Sequence, residues 1–227
     1  MGTSAEIIPL KKVIKTSRQS HPKRIRNVDG IKYFNKQQVK YLRRTVRDRA
    51  ELDRSKGNIT GIKEWMVIDL LTSTGVRVYE ASNIRCGDIK AGYAESGLFV
   101  REGKGSKSRT VQIPESLKKH LKHFLARKTQ IGEPIAEDDY LFLGQRGPWT
   151  TQAIQQIVKK YLKQIGLYKN GKSVHSIRHS YAVELYRKER DLRAVQKQMG
   201  HKSIQTTQIY ADVTEQDIQG QIKGLWS

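Results

Sequence analysis

The segment HSIRHSYAVELYRK at residues 175–188 reads as an amphipathic helix that carries a chemical face. Ile177, Tyr181 and Leu185 recur at four-residue spacing, the stripe that buries a helix. His175 and Arg178 stand three apart, so their side chains leave the helix on one side, next to that stripe. Burial of the stripe would therefore fix the direction of both polar groups.

Helical patterns continue on either side. Downstream, Asp191 to Met199 runs into Gly200, and a last stretch runs from Ser203 to about Tyr210. Upstream, Ile154, Ile157, Val158, Tyr161, Leu162 and Ile165 share a face and stop at Gly166. Pro114 opens another helix with Leu117, Leu121 and Leu125. Near the start, Asn35 and Gln38 have the spacing of a capping box ahead of Val39, Leu42 and Val46. Trp65 to Leu71 is nearly continuous apolar sequence, a buried helix ending around Thr74-Gly75. A short helix follows from Val78 and is broken by Asn83, Gly87 and Asp88. Leu98–Val100 and Thr110–Ile113 read as strands of a hairpin around Gly103-Lys104-Gly105-Ser106. The predicted fold is mainly α with a small antiparallel β-sheet (α+β), without internal repeats.

Three regions are expected: a basic N-terminal arm over 1–30, an ordered domain over 31–213, and a C-terminal helix over 214–227. The arm holds seven Lys/Arg against two acidic residues and no apolar period. It is either a solvated tail or a segment that orders along phosphates. In the last region Thr214 and Asp217 again have capping-box spacing, and Ile218, Ile222 and Leu225 form one stripe.

The charge balance narrows the partners. With 43 Lys and Arg against 22 Asp and Glu, the formal net charge is +21. Such a field attracts polyanions, nucleic acid first among them. A membrane partner is not expected, since no apolar run approaches the ~20 residues of a spanning helix. Cys86 is the single cysteine, so neither an intramolecular disulfide nor a CxxC metal knuckle is available.

Taken together, Arg77, Lys104, His175, Arg178, His201 and Tyr210 suit attack on a phosphodiester. Two arginines can fork onto nonbridging oxygens as charge builds there. A phenol of pKa about 10 is almost wholly protonated at neutral pH, so Tyr210 as nucleophile needs a proton acceptor, and His175 is the candidate. Lys104 on the glycine-rich turn can return a proton to the leaving oxygen, and His201 can donate to the same phosphate. Glu80, one turn past Arg77, would hold that guanidinium without touching substrate. The turn is no P-loop, because GxxxxGK[ST] is absent. His175 with His179, and His120 with His123, have helical spacing but no HExxH pattern, so no metal is expected.

These residues resemble the tyrosine recombinase, or phage integrase, family. The segments that carry the resemblance are TGVRVYE (74–80), GKGSKSR (103–109), HSIRH (175–179) and MGHKSIQTTQIY (199–210), in the family's order. The resemblance covers roughly residues 31–227. It implies a site-specific recombinase or integrase, with Arg77, Lys104, His175, Arg178 and His201 around the scissile phosphate of double-stranded DNA. Tyr210 would form a 3′-phosphotyrosine bond, which conserves the bond energy without metal or cofactor. It further implies a homotetramer on two DNA sites, with the C-terminal helix docked in trans, in a prokaryotic cytoplasm at the nucleoid. Family members commonly carry a separate N-terminal helical domain that closes a clamp on DNA. Only about 30 residues precede the apparent catalytic domain here, the pattern of a catalytic fragment or of a minimal enzyme whose arm replaces the clamp. Two other readings stand beside this one: a type IB topoisomerase, and a DNA-binding protein of the same fold without catalysis.

Overall fold

A computed structural model describes residues 27–28, 31–92, 95–101, 108–168 and 173–212. The proposed C-terminal helix, Lys104 and nearly all of the basic arm lie outside the described residues.

The first pairing joins β1 (Asn27–Val28) to β2 (Ile31–Lys32), so ordered backbone begins a few residues before the expected start at residue 31. Helix α1 (Lys36–Ser55) opens on a capping box. Asn35 Oδ1 accepts from the Gln38 amide at 2.9 Å, and Gln38 Oε1 accepts from the Asn35 amide at 3.0 Å. Both orphan donors at the helix start are thereby satisfied.

Helix α2 (Thr60–Thr74) is the centre of the domain. Of its 15 residues 13 are buried, so it has no solvent face, and each polar side chain on it needs a partner. Lys63 finds Glu133 and the Leu143 carbonyl; Glu64 accepts from Tyr161 at 2.6 Å and from Lys160. Asp69 is fully buried. It accepts from Arg43 of α1 at 2.5 Å, from Ser73 at 3.2 Å, and meets the His120 imidazole at 2.7 Å. Gly75 then ends α2 in the left-handed region at φ 63, a conformation natural to glycine. A Cβ there would come within 2.4 Å of the Tyr181 ring, so α6 packs onto the bare backbone of this turn.

The chain continues through α3 (Val78–Ser82), a 3-10 turn at Cys86–Asp88, and an antiparallel sheet of β3 (Ile89–Lys90), β4 (Gly97–Val100) and β5 (Arg109–Gln112). Pairing of Leu98 with Val111 and Val100 with Arg109 turns Leu98, Val100 and Val111 into the main core. Helix α4 (Glu115–Gln130), a two-residue ribbon of β6 (Leu143–Gly144) and β7 (Gly147–Pro148), and α5 (Thr151–Gln164) complete that core. The strand β3 and the ribbon were not foreseen from periodicity, being only two residues long. The Cys86 thiol is buried, which raises its pKa.

Helices α6 (Val174–Glu189) and α7 (Leu192–Met199), and a further helix α8 described over 205–212, form the last layer. Ala182, Val183, Val195, Met199 and Tyr210 join Ile31 and Tyr33 in a second, smaller core. The Phe34 amide donates to Ser180 Oγ at 2.7 Å and fastens the chain entry to α6. The fold is mainly helical with a small antiparallel sheet.

Because Asp69 ties α1, α2 and α4, Asp69→Ala should cost about 3 kcal/mol of unfolding free energy by removing the carboxylate that balances the half-buried Arg43 charge and bonds Ser73 and His120. Urea unfolding checks this; an unchanged midpoint would show that α2 does not depend on this carboxylate.

Candidate active site

The site forms where four chain segments end side by side. Arg178 lies one turn into α6 and is 8% exposed. Its Nη1 donates to the Gly75 carbonyl at 2.6 Å and its Nη2 to the Met199 carbonyl at 2.7 Å. Those carbonyls belong to the C-terminal ends of α2 and α7, where helix dipoles concentrate negative potential. One guanidinium thus caps two helices. Burial, followed by the nearby Arg77 charge, lowers the Arg178 pKa to about 10, so it stays cationic at neutral pH.

Arg77 follows two residues after Gly75. Its Nη1 donates to Glu80 Oε1 at 2.9 Å, its amide to Glu80 Oε2 at 2.7 Å, and its Nη2 approaches the Gly200 carbonyl at 3.4 Å. Burial works to raise the Glu80 pKa, but the hydrogen bonds and charges of Arg109 and Arg77 outweigh it and hold the carboxyl at about 2.

Tyr210 lies on the inner face of α8 and is 1% exposed. Its hydroxyl is 3.1 Å from His179 Nδ1, and its ring stacks at 21° on the His201 ring with centroids 6.0 Å apart. His201 Nδ1 is held by Thr207 Oγ1 at 3.0 Å. Burial raises the phenol pKa, against the pull of Arg178 and Arg77. Burial lowers the His179 pKa, and the His175 and Arg178 charges lower it further. His201 is pushed down to about 4 by burial and then by Arg178 and Arg77. At neutral pH both imidazoles are therefore uncharged. His179 Nδ1 can accept the phenolic hydrogen, provided its own hydrogen sits on Nε2.

Of the residues singled out from sequence, the fold brings Arg77, Glu80, Arg178, His201 and Tyr210 together. His175 stands exposed on the first turn of α6, and the imidazole in hydrogen-bond contact with the phenol is that of His179, one turn deeper. Two residues of the site escaped the sequence reading. The spacing of His179 from His175 draws attention to a metal pair rather than to the phenol, although His179 adjoins Arg178 in HSIRH. Arg109 closes the GKGSKSR segment; its Nη1 and Nη2 fork onto the two Glu80 oxygens at 2.8 and 3.0 Å. Among the described residues no group of three or more His, Cys, Asp or Glu could hold a metal ion.

The depressed His201 pKa has a consequence for stability. The unfolded imidazole protonates near 6.5 and the folded one only near 4. Stability from neutral His201 is thus complete above the first value and is lost as pH falls toward the second. Relative to His201→Gln, the protein should lose on the order of 2 kcal/mol across that window, as followed by unfolding at stepped pH. Parallel profiles for the two proteins would refute a buried neutral imidazole.

Comparison with known proteins places this geometry. A family model described as "Phage integrase family" matches residues 32–217. Tyrosine recombinase XerA of Pyrococcus furiosus is 36% identical over 155 residues, 67% of this chain and 51% of that protein. Tyrosine recombinase XerH of Campylobacter jejuni is 36% identical over 152 residues, 66% of this chain and 41% of that protein. The chain thus spans about half the length of the curated relatives it matches. A crystal structure of XerA recombinase superposes with TM-score 0.66 at 28% identity, over 88% of this chain and 66% of that one. A post-cleavage complex of XerH with its difH substrate shares the fold at TM-score 0.68 and 23% identity, over 86% of this chain and 53% of that one. From its matched segment and the order of its motifs, this chain belongs to the phage integrase family.

Proposed function

We propose that the chain is the DNA breaking and rejoining part of a site-specific recombinase or integrase, acting on double-stranded DNA in a prokaryotic cytoplasm. The observation that carries this reading is the convergence of two arginines and two neutral imidazoles on one buried phenol. The Tyr210 oxygen attacks the scissile phosphorus while its proton passes to His179 Nδ1. The bond from phosphorus to the 5′ oxygen breaks, leaving a 3′-phosphotyrosine and a strand end that takes a proton from Lys104. Arg77 and Arg178 offset the charge on the nonbridging oxygens, His201 donates to the same phosphate, and His175 lies at its edge. Reversal by a 5′ hydroxyl from another duplex rejoins the strand.

The acceptor role that the sequence suggested for His175 passes to His179 in this proposal, because among the described residues the hydrogen bond to the phenol is that of His179. The net charge of +21 supports a backbone-dominated DNA interface. Of the similar proteins, XerH has been solved with its difH substrate; assembly of this chain as a tetramer on two DNA sites, through residues 214–227, is part of the same proposal.

Covalent capture on nicked, randomised duplexes tests the chemistry. Wild type should give adducts that share a sequence, and Tyr210→Phe none. His179→Gln should slow adduct formation about 10²- to 10⁴-fold at neutral pH, more than His175→Gln does. Adducts of Tyr210→Phe would move the nucleophile elsewhere. Tyrosine-dependent adducts without sequence preference would favour a topoisomerase, and DNA binding without adducts a silent binding protein. Removal of residues 215–227 should abolish higher-order complexes on gels and leave cleavage intact; retained tetramers would end the role given to that segment.

A further inference from the structure

Arg109 has no place in the phosphate chemistry just proposed, yet it is built into the site from three sides. Its backbone is fixed by the pairing of Arg109 with Val100 in the sheet, and its side chain is 13% exposed. Both Nη atoms fork onto Glu80, and Nε approaches the Gln198 carbonyl at 3.5 Å. A Cβ on Gly200 would lie 2.6 Å from Arg109 Nε and 2.8 Å from Cζ, so the Gly200 backbone lies flat on the guanidinium. The same turn is pinned to the sheet by Gln198, whose side chain exchanges hydrogen bonds with the Gln112 amide at 3.0 Å and carbonyl at 2.8 Å.

From this geometry we infer that Arg109 is the positioning residue of the site: it orients Glu80, which orients Arg77, and it seats the Gly200-His201 turn. The inference rests on the recombinase reading for its kinetic consequence but not for its geometry. Glu80 receives a two-point side-chain fork from Arg109, while Arg77 reaches the same two oxygens with its backbone amide and one guanidinium hydrogen, so Arg109 is the side chain that braces the carboxylate from outside the Arg77–Glu80 turn. Arg77 is the more exposed of the two arginines, at 38% against 13% for Arg109. Charge leads to the same conclusion. Arg77 and Glu80 alone would cancel, whereas Arg77, Glu80 and Arg109 together keep one positive charge beside Arg178. Burial does most to depress the Arg178 and His201 pKa values, and the Arg109 charge adds a smaller push in the same direction at both.

The test uses the full chain and a nicked duplex of the sequence selected by covalent capture. Rates of adduct formation are compared for wild type, Arg77→Ala, Arg109→Gln, Arg109→Lys and the Arg77→Ala/Arg109→Gln pair. Arg109→Gln should slow the reaction about 10²-fold without matching loss of DNA affinity. It should add almost nothing once Arg77 is alanine, the signature of two residues acting as one unit. Arg109→Lys keeps the charge but not the fork, and should stay closer to Arg109→Gln than to wild type. Losses that multiply in the pair, or full recovery with lysine, would overturn the inference. A second readout needs no catalysis: the nitrogen-15 signal of the Arg77 Nε–H group should be sharp in wild type and shift toward that of a free arginine in Arg109→Gln. If wild type forms no adduct the recombinase reading falls, and the Arg77 signal alone decides; an unaltered signal in Arg109→Gln would refute the positioning role.

Discussion

The buried guanidinium of Arg178, bonded to the carbonyls of Gly75 and Met199, is the interaction on which the site depends. Burying a cation costs several kcal/mol unless it is fully compensated, and here two helix ends compensate it. The arrangement explains why the motif residues sit where they do in the chain. Arg77 comes just after the capped end of α2, and His201 just after the capped end of α7. Fixing one side chain of α6 therefore fixes the starting points of two other segments. Both ends are glycine turns with positive φ, at Gly75 and Gly200, and at both a side chain occupies the space a Cβ would need. Tyr181 fills one and Arg109 the other, so the two glycines are demanded by close approach as well as by φ.

Around that strut the described residues of the site set one carboxylate, Glu80, against three arginines, Arg77, Arg109 and Arg178. Glu80 accepts four hydrogen bonds from Arg77 and Arg109 and remains ionised far below the usual carboxylate range. Its charge is thus spent inside the protein and offers little repulsion to an anion. Arg178 gives two of its five donors to carbonyls, which leaves Nε and one hydrogen on each Nη for a ligand. The surplus of positive charge is prearranged, so little reorganisation is required when an anion arrives.

Much of this was legible in the chain. The Asn35–Gln38 capping box, the apolar run of α2 and the Gly75 stop are local signals, and local signals survive in sequence. The grouping of Arg77, Arg178, His201 and Tyr210 was legible through motif order, although they come from four separate segments of the chain. What failed to show depends on depth and register. His175 and His179 share a helical face, and only the packing of α6 under α2 and α8 decides which reaches the phenol. Arg109 looked like one more cation in a strongly basic chain until its strand register aimed it at Glu80. The burial of Tyr210 to 1% was hidden as well, because Thr207 and Tyr210 mark the inner face of α8 only weakly. Strands of two residues leave no period to detect.

The electrostatics of the phenol link proton transfer to substrate. In the resting site burial raises the Tyr210 pKa while Arg178 and Arg77 pull it down, and burial together with cationic neighbours depresses that of His179. A phosphate that pairs with the arginines cancels much of their field at both groups. The phenol then becomes harder to ionise by field alone, and the imidazole becomes a better base. Proton transfer between them follows the difference of the two pKa values, so the anion moves donor and acceptor in the same direction. In an empty site burial, with the Arg178 charge behind it, holds the imidazole a poor base, and burial keeps the phenol protonated. Within the proposed reaction, the charges that bind the phosphate are also among those that set the proton affinity of both partners in the transfer.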